Sequence, residues 1–300
     1  MIDMFNYGYI KLLRPVNSLM ASLGVYIGWF IASSSIIELK AILAMIAAFI
    51  ICGAGNAFND YVDVESDKIN RPTRAIASGL VKRRHALIYS IALFFIGCVI
   101  AASISLVCFL LALINTFLLV IYSLILQNKV FVGNVAIGYL VGSTFLFGGV
   151  AAENIIAPSI LAILAFLSTT SREIIKDLED LEGDRQGFLK RLIKNIRDSI
   201  AERFKLTKSG VKLRYSELLA VTIAMLMLAV AIILSVLPFY LGIFNTYYIY
   251  MIAVPDAIFI WCIYLMGRAN KSDDYKNISK KMKLAMIIAL ISFLIGSLHI

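Results

Sequence analysis

The chain of 300 residues is 61% hydrophobic and 16% charged, with a mean hydropathy of +0.88 and a formal net charge of +9. A soluble domain carries about 45–50% apolar residues, so a water-soluble globular fold is excluded, and continuous rather than alternating apolar runs argue against a β-barrel. Two isolated histidines, His85 and His299, argue against a His-based metal site or triad, and the four cysteines (Cys52, Cys98, Cys108 and Cys262) all lie inside apolar runs, against a disulfide framework.

Taken in chain order, nine apolar spans are expected, near 14–33, 39–58, 86–104, 106–127, 132–152, 156–172, 217–237, 246–266 and 282–299. The apolar run of the first, Leu19 to Ala32, follows Lys11, Arg14 and Pro15 and has no small-residue cleavage site, so it reads as a retained span rather than a signal peptide. The second ends in "NDYVDVESD", which places Asp60, Asp63, Glu65 and Asp67 at its mouth. From Ala86 to Asn128 there is no charged residue. As a helix that run is roughly 60 Å long, about two bilayer cores. It must therefore be a hairpin, turning near Ala102–Ser105. The sixth span leads into "DLEDLEGD" and a long basic segment, 188–214. There Phe188, Leu192, Ile196 and Ile200 recur at helical spacing between bases, as in a helix lying on an anionic leaflet; a solvated loop is the other reading.

The bases sort by side. Lys11, Arg14, Lys68, Arg71, Arg74, Lys82, Arg83, Arg84, Lys129, twelve from Arg172 to Arg214 and six from Arg268 to Lys283 fall at the N-terminus or after even-numbered spans. Only Lys40 falls on the other side. The positive-inside rule then puts the N-terminus in the cytoplasm and the C-terminus outside. A charge placed by topology gives no reason to expect a nucleic-acid partner. The expected fold is all-α: a polytopic membrane protein with nine transmembrane helices in a bundle. It forms one domain over 1–300, with cytoplasmic helical caps in loops 59–85 and 172–216, after helices 2 and 6.

Asp60, Asp63 and Asp67 are separated by three and four residues, a spacing that puts them on one helix face. Asp177, Asp180 and Asp184 repeat that spacing. Six of the chain's eleven aspartates lie in these two copies, each at the exit of an even-numbered span. Carboxylates so close repel one another unless a cation joins them, and Mg²⁺ with a substrate phosphate suits such oxygen ligands. Arg71 and Arg74 follow the first copy, and Arg172 and Lys176 flank the second. Arginines can hold phosphate oxygens bidentately, so acids and bases together describe a polyphosphate site at the head of a membrane cavity. A prenyl diphosphate fits that site.

"NAFNDYVDVESD" resembles the first Asp-rich motif of the UbiA superfamily of intramembrane prenyltransferases, and Asp177, Asp180 and Asp184 resemble its second. "LLRPVNS" is similar to the family's Arg-Pro-x-Asn element, "NRPTRAIASG" to the stretch after motif one, and "IYSLILQNKVFVGN" to the helix 4 to 5 connection. "SREIIKDLEDLEGD" and "GSTFLFGG" look most like the archaeal branch that makes digeranylgeranylglyceryl phosphate. The resemblance covers nearly the whole chain. It implies Asn59 beside the six aspartates as metal ligands, and Arg14, Asn17, Asn56, Asn59, Arg71, Arg74, Tyr122, Ser123, Arg172 and Lys176 as substrate contacts, with Asn134 nearby. Two departures stand out. Leu126 and Gln127 occupy positions where many relatives have a lysine, leaving Lys129 as the nearby cation. The basic segment 188–214 replaces a Thr-Leu-Pro turn, and its cations could hold an acceptor's phosphate.

The implied activity is Mg²⁺-dependent transfer from geranylgeranyl diphosphate to the free hydroxyl of geranylgeranylglyceryl phosphate in the membrane. The two motifs would face each other around the diphosphate, with the active site toward the cytoplasm and the apolar spans excluding water. A motif aspartate is a candidate base, and so is no strong base at all. An aromatic acceptor such as 4-hydroxybenzoate is the alternative. A transporter fits less well, because the acids cluster at span ends rather than at depth. Oligomeric state and chain-length preference are not encoded in any motif.

Overall fold

The computed structural model describes residues 2–33, 36, 38–180, 209–269 and 272–298. They form twelve α-helices, one short 3₁₀ helix (Leu126–Asn128) and, among the described residues, no strand: α1 (Ile2–Leu12), α2 (Pro15–Ser33), α3 (Leu39–Val62), α4 (Val64–Asn70), α5 (Arg83–Ile104), α6 (Leu106–Leu124), α7 (Val130–Ala151), α8 (Ile156–Asp180), α9 (Ser209–Ser235), α10 (Leu237–Tyr240), α11 (Thr246–Met266) and α12 (Ser272–Gly296). Eight of them, α2, α3, α5–α9 and α11, are long and apolar enough to cross a membrane. The expected ninth, α12, is a single 25-residue helix, but its first half carries Asp273, Asp274, Lys276, Lys280, Lys281 and Lys283. Its apolar part begins only after Lys283, too short a run to qualify by length and composition.

Helix boundaries follow local chemistry. The hairpin turns at Ser105, whose side chain caps α6 by accepting from the Cys108 N–H at 3.1 Å. Pro15 opens α2, where a missing N–H costs nothing. The residue before a proline is pushed out of the right-handed helical region, and Arg14 lies in the left-handed region with φ 46°, separating α1 from α2. The cap after the second span is α4, set off from α3 by a bend at Asp63. Of the cap expected over 172–216, residues 172–180 continue α8 and 209–216 open α9, while 181–208, with most of the basic segment 188–214, lie outside the described residues.

The chain divides into two compact units, Met1–Ile125 with Ser143–Leu161, and Leu126–Gly142 with Ala162–Ile300. In the first, α3 is central and packs on α2, α5 and α6. Ala41, Ala44, Ala47, Ile51 and Ala54 recur every three or four residues and are buried against Val25, Trp29, Phe94 and Cys98. Lipid tails are as apolar as these side chains, so close van der Waals packing of small residues, rather than the hydrophobic effect, holds such helices together. The crossing of α2 with α7 shows it most clearly. A Cβ on Gly28 would lie 2.0 Å from the Phe145 carbonyl oxygen, and one on Gly148 would lie 2.0 Å from that of Val25. In the second unit α11 packs on α12 and α9 around Leu228, Phe259, Cys262, Met266 and Met282.

Candidate functional site

The first Asp-rich motif straddles the bend between α3 and α4. Asp60, in the last turn of α3, is only 3% exposed. Its Oδ1 accepts from Arg14 Nη2 and from Arg74 Nη1, the latter at 2.5 Å. Arg14 Nη2 also donates to Asn59 Oδ1 at 3.1 Å, and Asn59 Nδ2 donates to Asp63 Oδ2 at 3.1 Å. These bonds fix which end of the Asn59 amide faces which partner. Asp63 closes α3 with its N–H on the Asn59 carbonyl. The three aspartates thus belong to two consecutive helices, and Arg74 links them, reaching Asp67 Oδ2 at 3.4 Å as well as Asp60.

Two arrangements aim the arginines. Arg74 lies in the turn between α4 and α5, anchored by Ala75, Ile76 and Val81, which pack on Leu12, Ala57, Val64 and Ala86. Arg14 is held at the α1–α2 corner, where the Leu13 carbonyl accepts from Ser18 Oγ at 2.8 Å and Asn56 Nδ2 at 3.1 Å. Asn56 therefore ties α3 to that corner and positions Arg14. Asn17 is exposed on the first turn of α2, and Arg71 is exposed at the end of α4. Glu65 points away and pairs with Lys68 at 3.0 Å.

Asp67 stands apart from the other two. It is 6% exposed, and its Oδ2 makes no hydrogen bond. Burial pushes its carboxyl above the usual range; Arg74 opposes the shift, while Asp60 and Asp63 reinforce it. A buried carboxylate oxygen that makes no hydrogen bond and has only the Arg74 guanidinium, 3.4 Å away, to offset Asp60 and Asp63 suits a further cation, so the residues fit Mg²⁺. Among the described residues no three of Asp, Glu, His or Cys converge closely enough to hold a metal by themselves. The Asp180 side chain and Asp184 lie outside the described residues.

The second motif sits on the last turns of α8. Asp177 Oδ2 accepts from Asn134 Nδ2 of α7 at 2.8 Å, and Asn134 is buried. Arg172 Nη1 meets Glu173 Oε1 at 2.6 Å, and Lys176 Nζ meets Glu173 Oε2 at 3.4 Å. Glu173 was not among the expected site residues, although it extends the Asp spacing by one helical turn before Asp177. Of the remaining expected contacts, Ser123 is buried on α6 with its hydroxyl donating to the Leu119 carbonyl at 3.1 Å, an intrahelical bond. Tyr122 is half-buried beside it, and Lys129 is exposed before α7.

In both motifs, then, carboxylates hold the cations that would meet a phosphate. Known proteins share this architecture. The sequence matches the UbiA prenyltransferase family over residues 21–287. A digeranylgeranylglyceryl phosphate synthase from Methanosphaera stadtmanae is 36% identical over 290 residues, covering 97% of this chain and 99% of that one. Its namesake from Methanosarcina mazei is 38% identical over 305 residues, covering 96% and 97%. A solved structure of digeranylgeranylglyceryl phosphate synthase superposes with a TM-score of 0.84 at 33% identity, covering 99% of both chains. A UbiA homolog from Archaeoglobus fulgidus bound to GPP and Mg²⁺ superposes with a TM-score of 0.65 at 17% identity, covering 95% of this chain and 99% of that one, a likeness of fold.

Proposed function

The chain belongs to the UbiA prenyltransferase family, and from that premise we propose that it transfers a geranylgeranyl group from geranylgeranyl diphosphate to the free hydroxyl of geranylgeranylglyceryl phosphate. The observation that carries this reading is the near-full-length likeness to digeranylgeranylglyceryl phosphate synthases in two organisms, at 36% and 38% identity. The protein is an integral membrane enzyme, and the allylic donor leaves inorganic diphosphate. The carbon–oxygen bond to the diphosphate breaks, an ether bond to the acceptor oxygen forms, and the acceptor hydroxyl loses its proton.

Asn59, Asp60, Asp63 and Asp67 in the first motif, with Asp177, Asp180 and Asp184 in the second, are the proposed Mg²⁺ ligands. Mg²⁺, when bound, neutralises charge on the leaving diphosphate. Arg14, Arg71, Arg74, Arg172 and Lys176 are the proposed phosphate contacts. Each would exchange a carboxylate partner, or water, for phosphate oxygens and so stabilise charge that grows as the bond breaks. Asn17, Asn56, Tyr122, Ser123 and Lys129 are the remaining proposed substrate contacts. The spans house the isoprenoid chains and keep water from the allylic centre. The charge asymmetry supports a cytoplasm-facing site, with the N-terminus inside and the C-terminus outside.

The deciding experiment offers labelled geranylgeranyl diphosphate, with Mg²⁺, to the purified enzyme beside a panel of acceptors. Product from geranylgeranylglyceryl phosphate, with diphosphate released in equal amount, is expected. Product from 4-hydroxybenzoate alone would instead make the chain an aromatic prenyltransferase.

A further inference from the structure

The second motif contains an ion triad whose central acid, Glu173, has no role in the proposed transfer reaction. Glu173 is 13% exposed, and each of its oxygens faces a different cation, Arg172 at 2.6 Å and Lys176 at 3.4 Å. The triad leaves Arg172 half-satisfied. Its Nη1 is on Glu173, while its Nε is buried with no hydrogen-bond partner. A buried guanidinium N–H without an acceptor is costly, and an oxyanion is the acceptor whose geometry a guanidinium fork matches. One turn earlier on the same face, the Thr169 hydroxyl is also buried without a partner, in a residue 4% exposed.

We propose that Glu173 is an internal stand-in for a phosphoryl oxyanion: it holds Arg172 and Lys176 in place until a substrate phosphate displaces it. This rests on the reading of Arg172 and Lys176 as phosphate contacts. Pre-placing two long cationic side chains lowers the ordering cost of binding, while competition from the carboxylate weakens affinity, which favours release of a product that still carries phosphate. Glu173 is therefore a positioning residue. The oxyanion is either the donor's diphosphate or the acceptor's glycerol phosphate.

The test measures binding of inorganic pyrophosphate and of glycerol 1-phosphate, separately, to the full-length protein in detergent, by calorimetry. In Glu173→Gln the charge is gone and the shape is kept. One of the two ligands should bind about three- to tenfold tighter than to wild type, the range expected from releasing partly exposed ion pairs. The ligand that responds identifies the source of the oxyanion. In turnover, KM for the matching substrate should fall by a similar factor, with kcat unchanged or lower. Unchanged or weaker binding of both ligands overturns the proposal, because a merely structural salt bridge would lower Tm without tightening either. Should Glu173→Gln not fold, Glu173→Asp, which draws the carboxylate back by one methylene, is expected to tighten binding about twofold. No tightening in that variant overturns the proposal equally. Arg172→Ala separates the two readings. If it leaves wild-type oxyanion affinity untouched, the phosphate-contact assignment itself fails; if it weakens binding while the Glu173 variants do nothing, only the stand-in role fails.

Discussion

Asp67 carries a buried Oδ2 without a hydrogen bond, and its carboxyl is shifted upward from an ordinary 3.8, first by burial. The folded chain therefore binds a proton at Asp67 more tightly than the unfolded chain does. Stability from this group is complete below the ordinary value and is lost as pH rises through the folded one. Asp67→Asn removes the cost of the buried charge. Without Mg²⁺, the variant should melt above wild type near neutral pH, and the gap should close toward about pH 4. Added Mg²⁺ should raise the melting temperature of wild type more than that of the variant, since a ligand stabilises the state that binds it. A variant that melts below wild type at neutral pH would count against the cation-site reading of Asp67. Asp60 makes the opposite case. Its one oxygen serves both Arg14 and Arg74, so Asp60→Ala should lower transfer about a hundredfold or more. It should also destabilise the protein, because two guanidiniums lose their shared counter-ion. Transfer assays and thermal melts in detergent check both; near wild-type turnover would sink the first-motif assignment.

At the scale of elements, the α2–α7 crossing is the sharpest packing constraint. A Cβ at Gly148 would sit 2.0 Å from the Val25 carbonyl oxygen and 2.5 Å from the Trp29 nitrogen, both rigid backbone. Gly148→Ala should therefore cost about 1–3 kcal/mol, as overpacking does, and a melt of the purified variant measures it. Elements like these were legible in part. The α5–α6 hairpin could be read from a charge-free run too long for one bilayer crossing, and Ser105 then turned out to be its cap. The α1–α2 break is hidden in the sequence, because Leu12, Leu13 and Val16 continue the apolar pattern through the corner. The aspartates were found through their repeated spacing, but their partners were not. Arg14 and Asp60 are 46 positions apart, and no periodicity links residues at that distance. A repeat of aspartates alone does not reach Glu173, although its spacing to Asp177 matches that of Asn56 to Asp60.

For the molecule as a whole, the membrane orientation rests on the distribution of its bases, since 27 of the 28 fall on the proposed cytoplasmic side. The exception, Lys40, is paired with Glu153 at 2.6 Å, so little net positive charge is left on the opposite side. Glu153 and Glu65 make a matched pair of probes. Their side chains are 75% and 76% exposed, and each has one exposed lysine partner. Exposed ion pairs of this kind contribute little to stability, so replacing either glutamate with cysteine should leave the fold intact. The native background is low as well, because Cys98, Cys108 and Cys262 are buried and Cys52 is half-buried. On intact cells, a membrane-impermeant maleimide should label Glu153→Cys at once and Glu65→Cys only after permeabilisation. The reverse pattern would place both Asp-rich motifs on the outer face. It would also remove the electrostatic argument for a cytoplasmic active site, since the bases flanking the motifs would then violate the charge rule that orients the chain.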